Sequence, residues 1–130
     1  MSGNDDNPGI IPLSIFEIFK QIENVEGRNF VFQVGYIEIY NEKIYDLMDA
    51  KKAEITKIHE GALGEVKLDQ IMVEATSADN IMTLYAKANR ARRIDTTQMN
   101  NRSNRSHTIL KITIESREVW ETLDKVKFPI

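Results

Sequence analysis

Cysteine is absent from the 130 residues, which excludes a disulfide framework and any thiolate metal site and fits a reducing compartment. Proline occurs three times and glycine six, too rarely for a collagen-like or linker-like chain. No apolar run approaches the roughly 18 residues that a membrane helix requires. The N-terminus Met1-Ser2-Gly3-Asn4-Asp5-Asp6 is acidic and polar where a secretory signal would be basic and then apolar. An excess of basic charge is missing too: 17 Lys and Arg stand against 20 Asp and Glu, a formal net charge of −3. That balance speaks against a nucleic-acid binder that uses its whole surface. The remainder, 42% hydrophobic and 28% charged, is the composition of one ordinary globular domain or a piece of a larger one.

Residues 1–9, with Gly3, two aspartates, Pro8 and Gly9, carry turn chemistry. From Leu13 to Glu23 the apolar Ile15, Ile18, Phe19 and Ile22 recur at helical spacing, which predicts a helix with Ser14 near its start. Phe30 to Tyr40 alternates two apolar sets, Phe30, Phe32, Val34, Tyr36 against Val31, Ile37, Ile39. Such a segment reads as a central strand covered on both faces, and a sheet so covered takes helices on both sides, an α/β architecture. Glu42 to Met48 reads as a short helix through Ile44, Leu47 and Met48, followed by a charged loop from Asp49 to Glu54. Ile55–Ile58 and Val66–Val73 read as short strands of a hairpin-like excursion around Gly61 and Gly64. Ser77 is placed to cap a second helix, Ala78 to Arg93, with Ile81, Leu84, Tyr85 and Ala88 as its buried stripe. Its end bears Lys87, Arg90, Arg92 and Arg93, where cations suit the helix dipole. Asp95 to Asn104 is polar and loop-like. His107 to Glu115 predicts a strand with Leu110, Ile112 and Ile114 inward and Ile109, Lys111, Thr113 and Glu115 outward, and Val119 to Ile130 predicts a short helix.

The stretch Asn100-Asn101-Arg102-Ser103-Asn104-Arg105-Ser106-His107 holds three amides, two hydroxyls and two guanidiniums between a basic helix and a strand. Loops held between rigid elements are where binding groups collect. Hydroxyls and amides suit phosphate oxygens or a magnesium shell, and arginine offers paired donors to phosphate or carboxylate. Lys87 to His107 counts six basic residues and one acid, a local +5 in an acidic chain, so an anionic partner suits it. The competing reading is a solvated turn whose Ser and Asn side chains cap neighbouring backbone. Two Asn-x-Ser matches to the glycosylation pattern fall in the same stretch and are accidental without a secretory signal.

These residues resemble a known family. Asn100-x-x-Ser103-Asn104-Arg105-Ser106-His107 is similar to switch I, the first nucleotide-sensing loop of the kinesin motor domain, usually Asn-x-x-Ser-Ser-Arg-Ser-His. Tyr36-Ile37-Glu38-Ile39-Tyr40-Asn41-Glu42 with Asp46-Leu47 resembles the kinesin strand Tyr-x-Glu-Ile-Tyr-Asn-Glu and its following Asp-Leu-Leu. Gly9-Ile10-Ile11-Pro12, His59-Glu60 and Glu115-Ser116-Arg117-Glu118 fall in family order. The resemblance covers residues 1–118, the central part of a motor domain, and leaves 119–130 as an unassigned tail; among kinesins the pattern is most similar to the centromere-associated mitotic class.

The resemblance implies an incomplete kinesin-type P-loop NTPase fold, a mixed β-sheet flanked by helices, from an ATP-dependent microtubule motor of the cytoplasm and cytoskeleton, at spindle or kinetochore if the mitotic class holds. It assigns catalysis to Ser103, Asn104 and Arg105, nucleotide contacts to Asn100, Ser103, Asn104 and Ser106, and the magnesium ion to Ser103 and Asn104. Arg105 would pair with a glutamate of the second switch. His107 would brace the loop, a catalytic imidazole being the alternative. Glu38 and Glu42, which could pass for a catalytic carboxylate pair, become structural. Lys57, His59 and Lys67 on the predicted strand pair would face the acidic microtubule surface.

Two departures bear on activity. Asn104 stands where the family has a second serine, which removes a hydroxyl expected beside magnesium and phosphate. No glycine is followed by lysine, so the phosphate-cradling Gly-x-x-x-x-Gly-Lys-Ser/Thr loop is not in the chain, and neither is the Asp-Leu-Ala-Gly of the second switch. The expectation is a chain that binds ATP and Mg2+ only within a complete parent domain and is inactive alone. Its partners would be tubulin and the remainder of the motor domain, with no membrane or nucleic acid and with self-association through exposed strand edges. The alternative is a non-enzymatic interaction module that uses the basic 87–107 segment.

Overall fold

The computed structural model describes residues 9–96, 106–123 and 126–129. Helix α1 spans Ile10–Glu23, one turn earlier than the apolar stripe predicts. Pro12 is tolerated there because the first turn has no intrahelical acceptor for its missing N–H, and its ring is buried beside Ile15. Gly27, at φ 74, turns the chain into strand β1, Arg28–Tyr40.

β1 is the axis of the fold. One of its edges is paired along its whole length with β7, Ser106–Glu118, from Arg28↔Glu118 to Tyr40↔Ser106. The other is shared by β6, Val73–Ala75, opposite Phe32 to Val34, and by β2, Lys43–Asp46, opposite Ile37 to Tyr40. β3, Glu54–Ile55, extends the sheet beyond β2. Pairings among the described residues are antiparallel.

Lys43–Asp46 is therefore a strand and not the short helix its apolar spacing suggested. Asn41 and Glu42 both adopt positive φ, 49° and 64°, the geometry of a two-residue type I′ turn whose twist matches a hairpin. That turn folds Lys43 back onto Tyr40, and pairing with β1 outweighs a weak local helical period. The predicted hairpin-like excursion is divided in the structure. Its middle, β4 (Ile58–Glu60) and β5 (Val66–Leu68), forms a separate two-stranded sheet, while its ends join the main sheet as β3 and β6.

Helix α2, Ala78–Thr96, starts at a reciprocal cap. The Asn80 N–H donates to Ser77 Oγ at 3.0 Å and the Thr76 N–H donates to Asn80 Oδ1 at 3.1 Å. The predicted stripe holds: Ile81, Tyr85 and Ala88 are buried and Leu84 packs at the margin. Ile15 of α1 and Ile81 of α2 meet Phe32, Val34 and Ala75 in one cluster, with Phe19 stacked on Phe32 at 4.5 Å. Tyr36, Leu47, Tyr85 and Ala88 form a second.

Both helices thus lie on the Phe32–Val34–Tyr36 face of the sheet, not one on each face as expected. Across β1, the tips of Gln70 and Met72 occupy the space a Cβ on Gly35 would need, so a loop covers that face locally, and Gln33 stays exposed. The tail is also corrected. β8, Trp120–Leu123, and β9, Val126–Pro129, pair as a hairpin, as the β-branched and aromatic content of Trp120, Thr122, Val126 and Phe128 favours. No described helix is long and apolar enough to cross a membrane.

Glu42 holds a left-handed conformation that costs an L-residue about 1–2 kcal/mol, and glycine takes it without that strain. Replacing exposed Glu42 by glycine is expected to stabilise the chain by about 0.5–1 kcal/mol, read as a shift in the urea midpoint at unchanged slope.

Candidate functional site

Glu38 sits on the core face of β1 between Tyr36 and Tyr40, and its side chain is fully buried. An ionised carboxylate there is tolerable only if neutralised and hydrogen-bonded. Three elements supply the partners. Ser106, the first residue of β7 and 5% exposed, donates its hydroxyl to Glu38 Oε2 at 2.7 Å. Register puts Ser106 opposite Tyr40, one diagonal step from Glu38 on the same face, within reach for a cross-strand contact. Lys52, at φ 51 in the turn after β2, brings Nζ to 3.1 Å from Oε1. Arg92, near the end of α2, approaches Oε2 to 3.6 Å through Nε, a Coulombic contact beyond hydrogen-bond range.

Around this cluster the supports are neutral. The Tyr36 hydroxyl donates to Asn89 Oδ1 at 3.4 Å, and its ring meets Tyr85 edge-on. Burial, above all, raises the Tyr36 pKa above its ordinary value, so the phenol remains a proton donor at neutral pH. Asp46, also buried, is not catalytic in geometry: its two oxygens accept the Met48 and Ile71 backbone N–H groups at 2.9 and 2.7 Å and pin the loop that lies against Gly35.

Asn100, Ser103, Asn104 and Arg105 lie outside the described residues. Ser106 is described, and its hydroxyl is committed to Glu38. His107 is exposed on β7 opposite Ile39. Glu42 is exposed in the hairpin turn and Glu38 is buried, so the two carboxylates are not presented together. His59 and Lys67 stand opposite each other on β4 and β5, with Lys57 just before β4, and all three are exposed. In the basic 87–107 segment, Lys87 and Arg90 are exposed while Arg92 is drawn to Glu38.

Sequence reasoning missed Lys52 altogether and took Arg92 for a surface cation. One signal was available: a lone glutamate at a core-facing position of an apolar strand must have cationic partners. Groups of three or more metal-binding side chains are not found among the described residues. Of the residues assigned to ATP and Mg2+, Asn100, Ser103 and Asn104 fall outside them and Ser106 is turned to Glu38, so the described part supplies the frame of a site and no step of its chemistry.

A family model of the kinesin motor domain matches residues 1–128. The chain belongs to the kinesin motor-domain family. It is 40% identical over 115 residues to kinesin-related protein 11 of Dictyostelium discoideum, covering 87% of this chain and 17% of that protein. Human centromere-associated protein E is 36% identical over 123 residues, 93% of this chain and 5% of its own length. A solved structure of a fast kinesin superposes with a TM-score of 0.78 at 27% identity, over 91% of this chain and 34% of that one. The kinesin-type α/β fold, a sheet with helices packed on it, is thereby established. The chain spans less than a fifth of each of these two curated kinesins.

Ser106→Ala removes one hydrogen bond to a buried carboxylate and is expected to cost about 1–2 kcal/mol. Glu38→Ala leaves Arg92 and Lys52 facing a void and is expected to cost about 2–4 kcal/mol, both read by urea unfolding.

Proposed function

We propose that this kinesin chain is the central part of an ATP-dependent microtubule motor, with the segment from 97 to 105 as its nucleotide-sensing switch. One observation carries the reading: the helix that leads into the segment and the strand that leaves it are both tied to Glu38, through Arg92 and Ser106. A segment whose two neighbouring elements are fixed can change order with nucleotide state while those elements stay put.

Phosphoryl transfer depends mainly on positioning and charge stabilisation. ATP with Mg2+ supplies the transferable phosphoryl group and a neutralising charge when the complete domain binds it. Asn100, Ser103 and Asn104 would contact the nucleotide, Ser103 and Asn104 the metal, and Arg105 an acidic group elsewhere in the motor. Ser106 supports them by holding the start of β7 to Glu38. The Asn104 amide offers a carbonyl oxygen where a hydroxyl is usual, so turnover is slow. The exposed pair His59 and Lys67, with Lys57, is the microtubule-facing surface, and the cytoskeleton is the site of action. The likeness to human centromere-associated protein E favours spindle or kinetochore.

The test is a chimera in which residues 10–118 replace the matching stretch of the Dictyostelium kinesin-related protein 11 motor domain. The expected chimera hydrolyses ATP with microtubule stimulation, and Arg105→Ala lowers kcat by about a hundredfold or more. Asn104→Ser raises kcat. Lys57→Ala with Lys67→Ala raises the tubulin concentration for half-maximal rate while sparing kcat. The 130-residue chain alone is expected to show no turnover. A folded chimera without nucleotide turnover, or one indifferent to Arg105→Ala, would sink the reading.

A further inference from the structure

Lys52 occupies a position whose backbone would suit glycine. It closes the turn after β2 at φ 51, a left-handed conformation uncommon for a residue with a Cβ. The backbone is held on both sides. The Lys52 N–H donates to the Asp49 carbonyl at 2.9 Å, and the carbonyl of the next residue, Ala53, accepts the Asp46 N–H at 2.9 Å. Strain of this kind collects where a side chain has a task. Here the side chain is 17% exposed, and its ammonium lies 3.1 Å from Glu38 Oε1. It also lies 5.9 Å from the centre of the Tyr45 ring, which stands opposite Glu38 in the β1–β2 ladder. That is within the range of a cation–π contact.

Three groups approach the one carboxylate, and they do so unequally. Lys52 and Ser106 come to 3.1 and 2.7 Å, whereas Arg92 Nε stays 3.6 Å from Oε2. That Nε is buried and, among the described residues, has no hydrogen-bond acceptor. A guanidinium beside a carboxylate favours a paired geometry, in which two parallel N–H groups donate to two oxygens. Arg92 falls short of it, and the oxygen that would complete the pair, Oε1, faces Lys52. We propose that Lys52 is a positioning residue: by holding Oε1 it denies Arg92 the two-oxygen pairing with Glu38, and so leaves the end of α2 able to shift with the segment 97–105.

An arginine held by Coulombic attraction tethers the helix without locking it. With full pairing, any shift of the helix end would break two directional, charge-assisted hydrogen bonds. The consequence for turnover rests on 97–105 being the nucleotide-sensing switch; the looseness of the helix end does not.

Amide hydrogen exchange in the 130-residue chain reads that looseness. Lys52→Met keeps the apolar stem and drops the charge. Arg92 is then expected to close on both oxygens and to slow exchange of the amides 90–96 about tenfold. A lysine that only stabilised the fold would give the opposite sign, faster exchange. Lys52→Arg keeps a cation at Oε1 and is expected to hold the wild-type rate. Tyr45→Leu removes the ring and leaves the charge, so it weakens the hold on Lys52 and is expected to slow the same amides about twofold. It carries the test if Lys52→Met does not fold. In the chimera, Lys52→Met is expected to lower kcat about fivefold at an unchanged half-maximal tubulin concentration, and Lys52→Arg to restore it. Unchanged or faster exchange at 90–96 in both variants would overturn the proposal. Slower exchange with wild-type kcat in an active chimera would overturn its link to the switch. A chimera without turnover would count against the switch itself, and exchange would still decide how Lys52 places Arg92.

Discussion

The buried carboxylate of Glu38 is the constraint around which the upper half of this molecule is organised. A charge with no exposed surface must be matched locally, or it would titrate away or unfold its surroundings. Matching it has fixed the left-handed turn at Lys52, the approach of the end of α2 through Arg92, and the residue at which β7 begins. The two cations are 17% and 28% exposed at their side chains. They keep part of their hydration, and the desolvation cost falls chiefly on one ion rather than three.

Below that point the fold relies on apolar burial. Phe32 and Val34 of β1 lie between Ile15 of α1 and Ile81 of α2, and the full-length ladder with β7 keeps the Glu38 end in register with the Phe30 end. The apolar half is insensitive to ligand charge, while the polar half, where the chain enters and leaves the segment 97–105, is held by ion pairs and one hydroxyl. The 2.7 Å hydrogen bond from Ser106 and the ion pairs at 3.1 and 3.6 Å depend on geometry, so small displacements weaken this half more than the apolar one.

The long elements were legible because their periods are strong and uninterrupted. The stripe Ile81–Tyr85–Ala88, the alternation of β1 and the Ser77 cap all state their structure locally. β2 was not, because Ile44, Leu47 and Met48 fit a helical spacing while the deciding feature is a pair of positive φ angles at Asn41 and Glu42, and glutamate is an uncommon residue there. The coverage of the second sheet face was misread for a different reason. Two apolar faces on β1 show that both are covered, not by what, and here the tips of Gln70 and Met72 do part of what a helix was expected to do. At the candidate site the family motif marked the segment around Ser103, yet its anchor lies 68 positions upstream of Ser106. No local pattern links a strand glutamate to a lysine in a later turn and an arginine on a helix.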